Sequence, residues 1–240
     1  MEQIYTIPVN EAFDRSAENP AAGCPFCALY RKLEEDEVDI ILGASMMEPD
    51  IRIKTNEQGF CRTHYSLMLR KKRKLGMALI LESHLANVRR ALNGDGALPG
   101  GRASKALTSL DTLENSCYIC SRIDKNFEAM MRTAVYLWES DPDFPKKFAA
   151  QPLFCLPHYR RMTAYAQKKM NKKVFRDFYN AAHGIEEKYI DTLTNDVSWF
   201  AKKFDYRYDE EPWYNSKDSV ERTVKFLTSD PVGDETGGTK

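Results

Sequence analysis

The chain has 240 residues, of which 42% are hydrophobic and 29% are charged, and its 35 basic side chains balance 35 acidic ones. This composition is typical of a folded globular protein and argues against intrinsic disorder. A formal net charge of zero gives no general attraction to nucleic acid or anionic lipid, so only a local basic patch could provide one.

The sequence shows no membrane-spanning or secretory pattern. Its longest apolar run, Met77–Leu81, falls far short of the roughly 18 residues that a membrane helix needs. The first residues lack the basic and then apolar layout of a signal peptide. We therefore expect a cytoplasmic location and no membrane partner. In a reducing compartment, cysteines indicate metal or redox chemistry more often than disulfides.

The cysteines follow a duplicated pattern. Twice along the chain a CxxC pair is followed, after 33 or 34 intervening residues, by a CxxH pair. These pairs are Cys24 with Cys27, Cys61 with His64, Cys117 with Cys120, and Cys155 with His158. The two CxxC pairs are 93 residues apart, the two CxxH pairs are 94 apart, and all six cysteines take part. The pattern indicates an internal repeat.

The first repeat is predicted to be helical after an N-terminal extension in which Ile4–Val9 could be extended. A helix should begin at Pro25 and end near Gly43, with the acidic run Glu34–Glu37 on its exposed face. A short helix around Asp50–Asn56 and a third helix at the CxxH pair follow. The fourth helix should bury an apolar face with helical spacing. This face comprises Met77, Ala78, Leu81, Leu85, Val88 and Leu92.

The second repeat is predicted to have its helices in the same order. The first two span Tyr118–Glu139 and Pro145–Ala150, the third begins at the CxxH pair and the fourth follows it. Shifted by 97 residues, the apolar face of that fourth helix reads Val174, Phe175, Phe178, Ala182, Ile185 and Tyr189. An aromatic loop and a last helix capped by Asn215 or Ser216 follow.

The predicted fold is all-α, a tandem duplication of a four-helix unit in which each copy has a Cys3His metal site, plus a C-terminal aromatic loop and helix. The predicted segments are an N-terminal extension with the first repeat (1–92), a Gly-rich linker (93–110), the second repeat with the C-terminal flap and helix (111–228), and a disordered tail (229–240).

Each repeat is expected to close its own tetrahedral site. The first would use Cys24, Cys27, Cys61 and His64, and the second Cys117, Cys120, Cys155 and His158. Three thiolates and one imidazole are an established zinc set, and residues three apart on a helical turn share a face. Two Zn²⁺ ions are therefore predicted, with iron–sulfur clusters as the alternative.

Four protein ligands leave no open coordination position, which favours a structural role over hydrolysis. The sequence has no Gly-rich phosphate loop or nucleophile elbow, and no catalytic residue is predicted. A zinc-stabilised module that binds another macromolecule, most simply a protein, is the preferred function. The alternatives are an enzyme or cofactor-binding protein with a pocket between the repeats, and an iron–sulfur or thiol redox sensor.

Weaker signals leave two interpretations each. His84 and His183 could line a site, although His84 lies close to the apolar stripe and is interpreted as a core histidine. Basic clusters at Arg70–Lys74 and Lys168–Lys173 could bind nucleic acid, but each lies where a helix should end. The segment Phe204–Lys217 is interpreted as a closing flap, with a recognition surface as the alternative.

Several motifs together resemble a known family. They are the Cys-Pro-x-Cys and Gly-Phe-Cys-x-x-His signatures, Tyr5–Asn10 near the start and Trp213–Asp218 near the end. The chain resembles an uncharacterised bacterial family, of the type found in Gram-positive anaerobes, that is known only as a domain of unknown function. The resemblance spans nearly the whole chain. It implies no established activity and so assigns no catalytic residue.

Overall fold

A computed structural model describes residues 3–229, and in that range the regular elements are all helices. The predicted tail lies outside the described residues except for Ser229. None of the described helices combines the length and the apolar character needed to cross a bilayer. The α-helices are α1 Thr6–Glu18, α2 Pro25–Ile41, α3 Pro49–Gln58, α4 Arg62–Arg70, α5 Lys74–Asn93, α6 Arg102–Glu114, α7 Tyr118–Ser140, α8 Phe144–Ala149, α9 Leu156–Lys169, α10 Lys172–Lys202 and α11 Ser219–Thr228.

The tandem duplication is confirmed by the order of these helices. Each CxxC pair is followed by a long helix, a short one, a helix that begins at the CxxH pair, and another long one: α2–α5 in the first repeat and α7–α10 in the second. Corresponding helices start 93, 95, 94 and 98 residues apart. The shift changes little until the fourth helix because differences in helix length are offset by the connections: α7 is six residues longer than α2, but the connection after it is four residues shorter.

The N-terminal extension is helical, and the expectation of an extended Ile4–Val9 is wrong. A 3-10 turn at Gln3–Tyr5 leads directly into α1. Pro8 falls in the first turn of α1, where a missing amide costs no intrahelical hydrogen bond. One face of α1 is buried, including Val9 and Phe13, and these contacts stabilise the helix.

The predicted linker is shorter than expected, because residues 102–110 belong to α6. The Gly-rich turn begins at Gly94, whose left-handed backbone (φ 63°) ends α5, and it stops at Gly101. The following residues contain neither glycine nor proline and favour a helix. None of the residues of α6 is fully buried.

The chain forms two compact units whose boundaries differ from the predicted segments. Among the described residues, the first unit combines residues 3–30 with residues 128–229, and the second comprises residues 31–127. Each unit therefore contains parts of both repeats.

Buried aromatic rings form the core of the first unit. Phe13, Phe26, Phe148, Phe154 and Phe178 have no exposed surface, and the rings of Phe148 and Phe154 lie 4.8 Å apart. The Phe26 ring lies 6.1 Å from that of His158, which places this core beside a predicted ligand. The second unit is built on aliphatic and aromatic side chains that include Ile41, Phe60, Met68, Ile80, Ile119, Ile123 and Phe127.

Candidate metal centres

All four cysteine-containing pairs lie at helix N-termini. Cys24 and Cys117 immediately precede α2 and α7, and their CxxC partners lie in the first turn. Cys61 and Cys155 are the N-cap residues of α4 and α9, so their histidines also fall in the first turn. The positive end of a helix dipole favours a thiolate, so every pair is placed where anionic sulfur is stabilised.

The structure brings these pairs together crosswise between the repeats. Site A, in the first unit, comprises Cys24, Cys27, Cys155 and His158; site B, in the second unit, comprises Cys61, His64, Cys117 and Cys120. Within each site the ligand atoms all lie within 4.8 Å of one another. The prediction that each repeat closes its own quartet is therefore wrong, although the structure does place all eight predicted residues in two Cys3His groups.

Helix length gives a physical reason for the exchange. The 17 residues of α2 extend about 25 Å from the CxxC pair, whereas the 10 residues of α3 can cover at most about 15 Å of the way back. The mismatch is larger in the second repeat, where α7 has 23 residues and α8 has 6. A CxxH pair that follows such a short return helix is more easily placed beside the other repeat's CxxC pair.

The geometry of both sites fits one tetrahedral ion. In site A the Sγ atoms of Cys27 and Cys155 are 3.5 Å apart, and Nδ1 of His158 lies 3.0 to 3.8 Å from the three sulfurs. In site B, Nδ1 of His64 lies 3.2 to 3.4 Å from the three sulfurs. Bond lengths of about 2.3 Å to sulfur and about 2.0 Å to nitrogen give tetrahedral edges of roughly 3.5 to 3.8 Å. None of the six cysteines is joined in a disulfide.

A buried carboxylate supports the histidine of site B. Oε1 of Glu34 lies 3.2 Å from Nε2 of His64, with 8% and 2% of the two side chains exposed. The contact is not aligned as a strong hydrogen bond. Burial lowers the pKa of His64, but Cys117 and Glu34 outweigh it and raise the value to about 10. Such a carboxylate orients the ring so that Nδ1 faces the sulfurs.

Each site favours one thiolate over the others. Burial raises the pKa of the Cys117 thiol, but hydrogen bonds from His64 and from backbone amides outweigh it and lower the pKa to about 6. In site A, hydrogen bonds from Cys24 and Cys27 hold the pKa of Cys155 far below its usual value. Burial raises the pKa of Cys24 and Cys120. An ion that binds all three sulfurs would therefore displace protons from the remaining thiols.

Further contacts hold the segment of the chain that leads into site A. The Phe154 amide donates to Oε1 of the buried Glu186 at 2.9 Å, and burial raises the pKa of that carboxyl group to about 7. Gln151 donates to the Phe13 carbonyl at 2.9 Å. Oγ of Ser229, at the end of α11, lies 3.3 Å from Sγ of Cys155. These contacts hold the segment before α9 and one of its sulfur ligands in place.

Comparable contacts connect the ligand loops of site B. The Tyr118 amide donates to the Gly59 carbonyl at 3.0 Å, and Nε of Arg122 donates to the buried Glu37 carboxylate at 2.9 Å. The expectation that Glu34–Glu37 forms an exposed face is wrong for Glu34 and Glu37, since both are buried. Sequence reasoning missed these two residues because a charge run usually indicates a solvated face; their i, i+3 spacing was the available signal.

The remaining histidines lie outside both quartets. Nδ1 of His84 lies 3.1 Å from the Asn56 carbonyl oxygen, between α5 and α3. The His183 ring stacks on Tyr179 with centroids 5.6 Å apart, and its Nε2 lies 3.5 Å from the Glu187 carboxylate.

The basic clusters adjoin helix ends. Asp39 forms ion pairs with Lys71 at 2.8 Å and with Arg73 at 3.6 Å. In the second cluster Asn171 caps α10, and its side chain accepts from the Lys173 and Val174 amides. Lys71 and Arg73 of the first cluster thus have an acidic partner within the protein.

The segment after α10 is held by a buried lysine that sequence reasoning missed. Nζ of Lys203 donates to the carbonyl oxygens of Tyr208, Asp209 and Glu211 at 2.5, 2.9 and 2.6 Å. The ammonium group also lies 5.5 Å from the Trp213 ring centroid. This arrangement orders the loop while other aromatic rings stay outside: 76% of Phe204, 83% of Tyr206 and 69% of Tyr214 are exposed.

Comparison with known proteins gives a family without a described activity. No curated protein and no solved structure matches the chain significantly. The model described as "Family of unknown function (DUF6062)" matches residues 1–234. This protein therefore belongs to the DUF6062 family.

Proposed function

We propose that this protein is a zinc-stabilised helical module that binds another protein and that both metal centres are structural. The supporting observation is that each quartet closes with four protein ligands, two from each repeat. A four-coordinate ion with protein ligands alone has no position for water or substrate. Zinc bound there would cross-link segments about 130 residues apart in site A and about 55 apart in site B, and its binding energy would become folding energy.

The spacing of the ligand atoms supports a single ion over an iron–sulfur cluster. Sulfur–sulfur distances of 3.5 Å in site A and 3.9 Å in site B match the edges of a coordination tetrahedron. An iron–sulfur cluster would hold ligands further apart, because each ligand binds a different iron in a [4Fe–4S] cluster and the two ligand pairs bind different irons in a [2Fe–2S] cluster. Cysteines without disulfides also suit the reducing cytoplasm, which is the location that we propose.

The exposed aromatic rings of the ordered loop support a protein partner. Phe204, Tyr206 and Tyr214 present large surfaces to solvent, and aromatic residues are enriched in the energetically important part of protein interfaces. The three hydrogen bonds of Lys203 hold their backbone in place before binding, which lowers the entropy lost on association. A nucleic acid is the less favoured partner, because Asp39 partly neutralises the first basic cluster.

Elemental analysis tests the metal assignment. The full chain, purified without added metal or chelator, should contain two zinc ions per molecule and be colourless. Removing them with a chelator should lower the melting temperature, and adding zinc back should restore it. Iron with visible absorption, or a melting temperature that does not respond to the removal of zinc, would contradict the proposal.

A triple variant tests the partner surface. Replacing Phe204, Tyr206 and Tyr214 with serine should leave zinc content and helicity unchanged but abolish capture of a partner from a lysate of the source organism. The partner, once purified, should bind the unmodified chain and the Leu98→Ser control equally, since Leu98 is an exposed side chain in the Gly-rich turn. Equal binding of the partner to the triple variant would overturn the proposed protein-binding surface. Salt-sensitive binding of nucleic acid alone would overturn it as well.

A further inference from the structure

After Ile80, helix α5 turns a polar side towards α3. Ser83 donates to Oδ1 of Asn56 at 2.9 Å, and the Asn87 side chain donates to the Asn56 carbonyl at 2.7 Å. Nε of Arg52 donates to the Met46 carbonyl, and its Nη1 donates to Ser83 at 2.9 Å. Beyond Ile80, hydrogen bonds rather than a leucine face therefore hold α5 against α3.

Of the predicted core face of α5, Met77 is buried as expected, but the rest of the apolar stripe lies towards the outside, contrary to the prediction. Its residues Ala78, Leu81, Leu85, Val88 and Leu92 are spaced 3, 4, 3 and 4 apart. Leu85 is 63% exposed and Leu92 is 60% exposed. Ala78 is exposed as well, and Leu81 and Val88 are half-buried. The corresponding face of α10 is covered in its centre, where Phe178 and Ala182 have no exposed surface.

The spacing is that of a coiled-coil seam. Alternating steps of three and four residues keep one stripe facing a second helix over several turns. From Ala78 to Leu92 the seam runs about 21 Å along the helix axis. Five apolar residues in this register form a surface that another helix with the same spacing would fit.

Charges beside the seam select the occupant. Glu82 and Arg89 are both exposed and lie seven residues apart, on the same edge of the seam. If a second copy of α5 packs antiparallel, Glu82 of each copy lies near Arg89 of the other, so the contact forms twice about a two-fold axis. In a parallel pair, the edge that holds Glu82 and Arg89 would instead face the opposite edge of the other copy's seam, which holds Met77 and His84. Opposite charges therefore complement each other only in the antiparallel pair.

The geometry points to self-association: α5 is the interface of a two-fold homodimer in which two copies pack their seams antiparallel. The contact is shorter than a standard interface, which buries about 800 Å² per partner. The dimer should therefore be reversible, with a dissociation constant in the range of roughly 1 to 100 μM. The proposed dimer does not depend on the proposed role of zinc, because no residue of the seam belongs to either Cys3His group.

Sedimentation equilibrium of the full zinc-loaded chain tests this proposal, from about 1 to about 200 μM to span the expected constant. The chain should pass from monomer to dimer. Leu85→Glu combined with Leu92→Glu should remain monomeric throughout. Leu107→Glu should dimerise normally, because it alters a leucine of similar exposure (69%) on α6. Far-ultraviolet circular dichroism and zinc content confirm that each variant is folded.

Charge reversal provides a test that does not disturb the apolar seam. Glu82→Arg or Arg89→Glu alone should weaken the dimer by about tenfold, since each puts like charges together twice. The double variant E82R/R89E should restore the original affinity, because the reversed charges again face each other in the antiparallel pair. A monomer at the highest concentration, a dimer unaffected by L85E/L92E, or a double variant as weak as the single ones would overturn the proposal.

Discussion

Replacing Glu34 with glutamine tests how the protein supports the proposed metal ion of site B. Glu34 lies 3.2 Å from Nε2 of His64, and only 8% of its side chain is exposed, so water is poorly placed to substitute for it. Loss of such a carboxylate typically weakens metal binding by about 10- to 100-fold, which corresponds to about 1.4 to 2.7 kcal/mol. We expect site B to weaken within this range, while site A keeps its affinity and acts as an internal standard.

A chelator competition measures this effect directly. The unmodified chain and E34Q, each loaded with two zinc ions, are titrated with a chromophoric chelator, and the release of each ion is followed separately. Glu35→Gln is the control, because Glu35 is the exposed neighbour of Glu34. An affinity of site B within twofold of the unmodified chain would refute the supporting role of Glu34. Equal weakening of both ions would show that the substitution acts on the whole fold.

Phe148→Ala and Lys203→Met, each with a matched control substitution, test the packing of the first unit. Phe148→Ala removes a ring with no exposed surface and should lower the free energy of unfolding by about 3 to 5 kcal/mol; Phe204→Ala should change it little, because that ring is exposed. Urea unfolding of the zinc-loaded variants measures both. Lys203→Met leaves three carbonyl oxygens without their donor and should destabilise the loop by about 1 to 3 kcal/mol. Limited proteolysis should then cut the loop faster than in the control Lys202→Met. Equal rates would contradict the role of the three hydrogen bonds from Lys203.

The helices were predictable because their signals are local. Pro25 occupies the first position of α2, and the CxxH pairs begin α4 and α9 as expected. The duplication could also be predicted, since it requires only a comparison of the chain with itself. Both inferences depend on neighbouring residues or equal spacing, and tertiary contacts do not change them.

The pairing of the metal ligands could not be predicted from spacing. The two CxxC pairs offer the same donor atoms, as do the two CxxH pairs, so any combination of one with the other completes a Cys3His set. The sequence predicts the lengths of α2 and α7 closely, but which CxxH pair meets which CxxC pair depends on how the helices pack, and no local signal in the sequence specifies that. The same sequence pattern is therefore compatible with separate repeats and with exchanged ones.

The outward stripe of α5 shows a second limit of pattern reasoning. Periodicity identifies which residues share a face but does not state what covers that face. Polar contacts of Asn56 with Ser83 and Asn87 turn the helix so that Leu85 faces solvent. In the second repeat the equivalent face is largely covered, and there the prediction of a core helix agrees with the buried Phe178.

Metal content of paired cysteine variants tests the central claim most directly. Cys24 and Cys155 belong to one site, so C24S/C155S should retain one zinc ion per chain after a mild chelator wash. Cys24 and Cys61 belong to different sites, so C24S/C61S should retain none. The opposite result, with no ion in C24S/C155S and one in C24S/C61S, would show that each repeat closes its own site and would contradict the exchange of ligands between the repeats.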